Sequence, residues 1–124
     1  MLDFDVNEPI YVQICNYIKD LIYTGQLKPG DQAPSIRKLA IEMNVNPNTV
    51  ARAYMELERE NVIKSFRGSL STVTLDLEKI QSLKREKIRN LIQTTYQQLL
   101  KLGLNHFDIT EEITKYLQEW EEEK

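Results

Sequence analysis

Asn48, Thr49 and Arg52 stand about one helical turn apart, directly behind Asn46 and Pro47, and together they offer a carboxamide, a hydroxyl and a guanidinium. Asn can pair with the edge of adenine, Arg with that of guanine and Thr with either, so this group could read base pairs from the major groove of DNA. Upstream, Ser35, Arg37 and Lys38 add a hydroxyl and two cations suited to phosphates or base edges. Catalytic chemistry is poorly supplied by comparison. His106 is the single histidine, with no second imidazole or neighbouring cysteine to complete a metal site. Asp108, two positions later, reads as a helix cap, and the KREK run at 84–87 reads as a solvated helix face. There is no phosphate-binding glycine loop and no nucleophile-base pairing, so an enzyme and a bound cofactor are not expected.

The elements that must position these groups follow from periodicity. Ile36, Leu39, Ala40 and Met43 recur at helical steps and define a short helix that ends at Asn44. Val45 turns back inward. Asn46 is placed to cap a second helix, and Pro47 occupies its first position, where the missing N–H costs nothing. The apolar stripe of that second helix is Val50, Ala53, Tyr54 and Leu57, which leaves Asn48, Thr49, Arg52 and Arg59 elsewhere on the wheel. Two helices joined by so short a break form a helix-turn-helix, with the second placed to enter the groove.

The flanking chain supports that pair. Residues 1–8 carry no strong pattern and read as an extended lead-in. Pro9 opens a helix bearing Ile10, Ile14, Ile18, Leu21 and Ile22 on one side, closed by Thr24-Gly25. Pro29-Gly30 marks a turn, and Gln32-Ala33 is a possible short strand. Beyond Glu60, Val62, Ile63 and Phe66 form one β-prone run and Leu70 to Leu75 another, with Arg67, Gly68 and Ser69 between them. A hairpin behind a recognition helix is a wing, whose tip at Arg67 and Gly68 could meet a phosphate or the minor groove; the alternative is a hairpin that only covers the core.

From Asp76 to Leu102 the pattern is again helical, with Leu77, Ile80, Ile88, Leu91, Ile92, Thr95, Leu99 and Leu102 in an intermittent stripe and Gly103 as the stop. At about 1.5 Å per residue such a helix spans some 40 Å, more than a winged core needs. A last helix is expected to begin near Asp108 or Thr110, with Glu111 and Glu112 in its first turn and Ile113, Tyr116, Leu117 and Trp120 on its apolar face. Two helices cannot bury both stripes alone. A second copy would complete a four-helix arrangement with two-fold symmetry. The expected interface therefore comprises Ile88, Leu91, Ile92, Thr95, Leu99 and Leu102 together with Ile113, Tyr116, Leu117 and Trp120.

The fold class is mainly α with a small β hairpin. Residues 1–75 are expected to form a winged helix-turn-helix domain, and residues 76–124 a two-helix dimerisation region. Composition is compatible: 124 residues at 41% hydrophobic content make an ordered soluble chain. No apolar run approaches the roughly 20 residues that span a bilayer, and the N-terminus lacks the pattern of a signal peptide, so a cytoplasmic protein without membrane contact is expected. Cys15 is the single cysteine and reads as a small packed residue rather than a redox sensor. The net charge of −3 speaks mildly against nucleic acid, but residues 35–68 carry six basic side chains against four acids, a local balance of +2.

Several motifs in this order carry a family resemblance: P-I-Y-x-Q-I from Pro9, G-x-L-K-P-G-D from Gly25, P-S-x-R-x-L-A from Pro34 and T-V-x-x-A-Y-x-E-L-E from Thr49. From Pro9 to Ile63 the chain resembles the DNA-binding domain of the GntR family of bacterial transcriptional regulators. The form N-P-N-T-V-x-R-A-Y and the short two-helix tail are similar to its YtrA-like subfamily, in which the tail dimerises. The resemblance implies DNA contact by Arg37, Asn48 and Thr49. Many relatives carry arginines where this chain has Pro47 and Ala51, whereas here the arginine is Arg52. The usual wing motif Gly-x-Gly-Thr is replaced by Gly68, Ser69, Leu70 and Ser71. The function expected is that of a sequence-specific transcription factor, a repressor by family resemblance, acting as a homodimer on a palindromic double-stranded DNA operator. The alternative is a protein-interaction module on a winged-helix scaffold. A small-molecule effector, if one exists, is not identified by the residues.

Overall fold

A computed structural model describes residues 3–66 and 70–123 of the chain. Among them run α1 (Ile10–Tyr23), α2 (Ile36–Met43), α3 (Pro47–Arg59), β1 (Ile63–Phe66), β2 (Leu70–Val73), α4 (Leu77–Lys101) and α5 (His106–Glu122). The fold is mainly helical, a winged helix-turn-helix followed by two further helices. Packing divides the chain into two units, one up to Lys84 and one from Arg85 onward, so the division falls inside α4 and not at the end of the hairpin, where the sequence pattern changes.

In the first unit, α1 buries Ile14, Cys15, Ile18 and Ile22. Ile10, expected on the same stripe, is 41% exposed, so the buried face begins one turn later. Gln13 explains how the lead-in is held. Its side chain accepts from the Asp5 N–H at 2.7 Å and donates to the Asp5 and Glu8 carbonyls at 2.7 and 2.9 Å, so this buried amide is satisfied by a segment with no apolar pattern of its own. Phe4 from that segment packs on the core. The C-terminus of α1 closes as Thr24-Gly25 predicts, with Gly25 at φ +81° and the Leu27 N–H donating to the Leu21 carbonyl at 2.9 Å.

The strands pair antiparallel with Ile63 opposite Val73 and Phe66 opposite Leu70. Ile63 and Val73 point into the core beside Val62. Gln32 bridges to Thr72, and the Ala33 N–H donates to the Ser71 carbonyl at 2.7 Å, so the stretch read as a possible strand lines the free edge of β2. Gly30 makes this approach possible. Its φ of +85° and a Leu75 methyl 3.1 Å from where a Cβ would sit both favour glycine. The expected wing tip at Arg67 and Gly68 lies outside the described residues.

Asp76 caps α4 by accepting from the Lys79 N–H at 3.1 Å. The first two turns of α4 serve the winged unit: Ile80 is buried in its core, Leu83 packs on it, and Lys84 Nζ donates to the Tyr23 carbonyl at 3.2 Å. Leu77, read as part of the same stripe, is 63% exposed. In the second unit α4 stops at Gly103, whose φ is +92°. The last helix starts at His106, earlier than Asp108 or Thr110. Asn105 is its N-cap, and a reciprocal pair of bonds with Asp108, at 2.9 and 3.1 Å, makes Asp108 the third-position partner of a capping box. Glu111 and Glu112 therefore fall in the second turn. No helix among the described residues is long and apolar enough to cross a membrane.

Cys15 is buried where α1 meets α3, and its Sγ lies 3.3 Å from the Ala53 carbonyl, to which it donates. Burial pushes the thiol up from its ordinary value of 9.0 to about 11. A group whose pKa rises on folding contributes stability that is complete below its unfolded value and lost as pH climbs through the folded one. Urea midpoints should therefore fall as pH rises from about 9 to about 11. A Cys15→Ala variant, less stable throughout, should show a shallower decline over that window; an equally steep decline would place the alkaline sensitivity elsewhere.

Candidate nucleic-acid interface

Ser35 starts α2 by accepting the Lys38 N–H on its Oγ at 3.1 Å. Leu39, Ala40 and Met43 face inward, and Asn44 ends the helix in the left-handed region at φ 55°. The Val45 N–H then donates to the Ala40 carbonyl at 3.0 Å, which folds the chain back toward the core. Asn46 Oδ1 accepts the Asn48 N–H at 2.8 Å, and Pro47 fills the first position of α3. One end of the turn is thus fixed by backbone geometry at Asn44 and the other by the side chain of Asn46.

Burial of Val50, Ala53, Tyr54 and Leu57 dictates what α3 presents outward. At about 100° per residue, Asn48, Arg52, Met55 and Arg59 lie opposite that stripe, and all four are exposed. Thr49 is half-buried on the flank toward α1. Asn48, Thr49 and Arg52 line an open recess of about 500 Å³ together with Pro9, Ile10 and Tyr11. Ser35 and Arg37 line a second recess, of about 530 Å³, bounded by Ala51, Met55 and Glu58 of α3 and by Ser65 and Ser71 of the hairpin. Lys38 is exposed on the first turn of α2. The carboxamide oxygen of Asn46 is committed to its cap, leaving the amide nitrogen as its remaining donor.

The two arginines on the outward face differ in their neighbours. Arg59 is ion-paired with Glu56 one turn earlier. Arg52 instead lies over the ring of Tyr11, with its Cζ 3.9 Å from the ring centroid. Glu60 is drawn to Lys19 of α1 at 3.0 Å. Of Glu56 and Glu58 in α3 and Glu60 at its C-cap, two are thus matched by bases next to them, at the end farther from the turn.

Sequence reasoning missed two tyrosines. Tyr11 falls in phase with Ile14, Cys15 and Ile18 on the buried side of α1, so its signals are that period and its place in the P-I-Y motif. Tyr54 was read as a stripe residue alone, but its hydroxyl also donates to the Pro34 carbonyl at 2.6 Å. That bond ties α3 to the residue preceding the cap of α2, and with it to the segment carrying Ser35 and Arg37.

In the second unit Ile109 is buried, while Leu99 is half-buried. Ile88, Leu91, Ile92, Thr95 and Leu102 on α4 and Ile113, Tyr116, Leu117 and Trp120 on α5 are exposed, Leu91 to 60% and Trp120 to 46%. An apolar crevice of about 250 Å³ opens among Leu91, Ile92, Thr95, Tyr96, Leu99, Ile109 and Ile113. His106 sits edge-on to Tyr96, with ring centroids 6.4 Å apart, as the first residue of α5.

Three helices closed by a hairpin, with a polar and cationic face turned outward from the third, make a winged helix-turn-helix of the DNA-binding kind. Residues 10–73 match the model of the bacterial regulatory proteins of the gntR family, and the chain belongs to that family. It is 34% identical over 113 residues to the HTH-type transcriptional regulator YhcF of Bacillus subtilis, covering 91% of this chain and 93% of that protein. The HTH-type transcriptional repressor YtrA of the same organism is 43% identical over 89 residues, 68% of each chain, which supports the YtrA-like subfamily. A solved GntR family transcriptional regulator from Listeria monocytogenes superposes with a TM-score of 0.85 at 38% identity, covering 90% of this chain and 98% of that one. The chain is accordingly a DNA-binding transcriptional regulator and not an enzyme.

The bond from Tyr54 to Pro34 gives a direct expectation. Tyr54→Phe should keep the packing, remove the hydroxyl and lower stability by about 1 kcal/mol in urea unfolding. A variant as stable as the parent would mean that the bond contributes nothing net.

Proposed function

We propose that the chain acts as a homodimer on a roughly palindromic operator, setting α3 of each copy into successive major-groove faces and repressing transcription by occupying the site. The observation that carries this reading is the outward face of α3, where Asn48 and Arg52 are exposed beside Thr49 on a helix whose other face is locked in the core. In this reading Asn48, Thr49 and Arg52 meet base edges. Ser35, Arg37 and Lys38 at the start of α2 meet phosphates, with the amide of Asn46 beside them, and Arg67 and Gly68 serve the wing contact. The regulator works in the cytoplasm.

The dimer reading rests on the second unit. Two helices exposing Leu91, Ile92, Tyr116, Leu117 and Trp120 on a small body hold more apolar surface than a lone hairpin can cover. A second copy supplies the missing face and sets the half-site spacing. The crevice beside Leu91 and Ile113, at about 250 Å³, is then part of the surface that the partner covers.

Mobility shifts on DNA upstream of the chain's own gene, run with nonspecific competitor and over a range of salt, test the operator reading. Binding should survive competitor and weaken steeply with salt, as counterion release requires. Arg52→Ala should cost about 1–3 kcal/mol of specific affinity with the fold intact. Indifference to that change, on a duplex the parent binds specifically, would remove Arg52 from the interface.

Leu91→Asp tests the dimer. The side chain is exposed within one copy, so the monomer should fold, while light scattering should read a monomer and operator binding should lose its cooperativity. A variant that stays dimeric would put the interface elsewhere.

A further inference from the structure

Tyr11 is the second residue of α1, half-buried, and packed against the core with its ring beneath the guanidinium of Arg52. Its backbone is held on two sides. Gln13, two residues on, clamps the Asp5 and Glu8 carbonyls at 2.7 and 2.9 Å, and Cys15 bonds to Ala53 of α3 at 3.3 Å. The ring is therefore a fixed platform relative to α3. Lys19 pairs with Glu60 and Arg59 with Glu56, and neither pair involves Arg52.

The choice of partner matters chemically. A carboxylate, as at Arg59, cancels the charge of a guanidinium and takes up its N–H donors. An aromatic face attracts the same cation through its quadrupole and leaves both the charge and the planar fork of donors for another acceptor. A free arginine on a helix surface must be ordered when it binds, and prior ordering lowers that cost. Tyr11 confines Arg52 without using the groups that recognition needs.

We infer that Tyr11 is a positioning residue for operator recognition, holding the Arg52 guanidinium ready for a guanine edge at the outward face of α3. The inference rests on the reading that Arg52 meets the operator, and it adds a determinant on α1, outside the helix-turn-helix.

A double-mutant cycle on the full chain tests it, using the tightest-binding duplex selected from genomic fragments and the same duplex with single guanine pairs replaced. Tyr11→Leu should weaken binding about threefold to tenfold and reduce discrimination against one replaced guanine, while Tyr11→Phe, which keeps the ring, should behave as the parent. In an Arg52→Ala background Tyr11→Leu should have no further effect. A purely structural role for Tyr11 predicts the same loss in both backgrounds, and that result overturns the inference, as does parent-like binding by Tyr11→Leu where Arg52→Ala is impaired. If Arg52→Ala itself binds as the parent does, the operator reading of Arg52 fails and the inference falls with it. A measurement independent of substitution is the proton spectrum of the free protein. The side-chain protons of Arg52 should be shifted upfield by the Tyr11 ring current, and random-coil shifts would show that the ring does not hold the arginine.

Discussion

Val50, Ala53 and Leu57 are wholly buried, and their seat against α1 is the constraint on which the winged unit depends. A helix has one phase. Once that stripe is packed against α1 in the shared core, the directions of Asn48, Arg52, Met55 and Arg59 are settled without further interactions. Cys15 shows how close the seat is, since its sulfur reaches the Ala53 carbonyl at 3.3 Å. Small residues at Cys15 and Ala53 let the helix backbones approach. Larger side chains there would lift α3 and displace its outward face with it.

The turn between α2 and α3 has to hold that face at a set angle to its neighbour, and the chain does so with asparagines. Asn44 takes the left-handed conformation, which most residues with a Cβ avoid and asparagine tolerates. Asn46 spends its side-chain oxygen on a backbone N–H that the helix start leaves unpaired. At the other end of α3, Asn61 repeats the left-handed solution at φ 61°, and the Val62 N–H donates back to the Leu57 carbonyl at 2.9 Å, leading the chain into β1. Recognition helix and wing are joined through backbone geometry that a few polar residues encode locally.

That locality explains what the sequence disclosed. The bounds of α2 and α3, their buried stripes and the Asn46-Pro47 start were legible because cap, proline and periodicity act within a few residues of each other. The hairpin was legible from two β-prone runs. The start of α5 was misread because Asn105 and Asp108 are both capping residues, and only the reciprocal bonds tell the N-cap from its third-position partner. The end of the winged unit was hidden because Ile80 belongs to the same helical stripe as Ile88, and period alone does not say which core a turn of helix joins. Among the site residues, the outward placement of Asn48 and Arg52 follows from phase. The contacts of Tyr11 with Arg52, Tyr54 with Pro34 and Gln13 with Asp5 cross between segments, and no local pattern announces them.

Charge is where whole-chain arithmetic misleads most. α5 carries six carboxylates against Lys115, a balance of −5, so the net −3 of the chain leaves the remainder at +2. Within the winged unit the acids are not spread evenly either. Glu56 and Glu60 are engaged by Arg59 and Lys19, at the C-terminal end of α3, whereas Arg37 and Lys38 stand in the first turn of α2 and Arg52 in the second turn of α3. Fields from paired charges decay faster with distance than those from single ones, and salt at physiological strength screens beyond about 8 Å. A phosphate backbone approaching the starts of these helices therefore meets three cations together with the positive ends of two helix dipoles, and little of the acid counted in the total. The acidic average and a cationic contact face are compatible because attraction to DNA is set within a few ångströms of the surface that touches it.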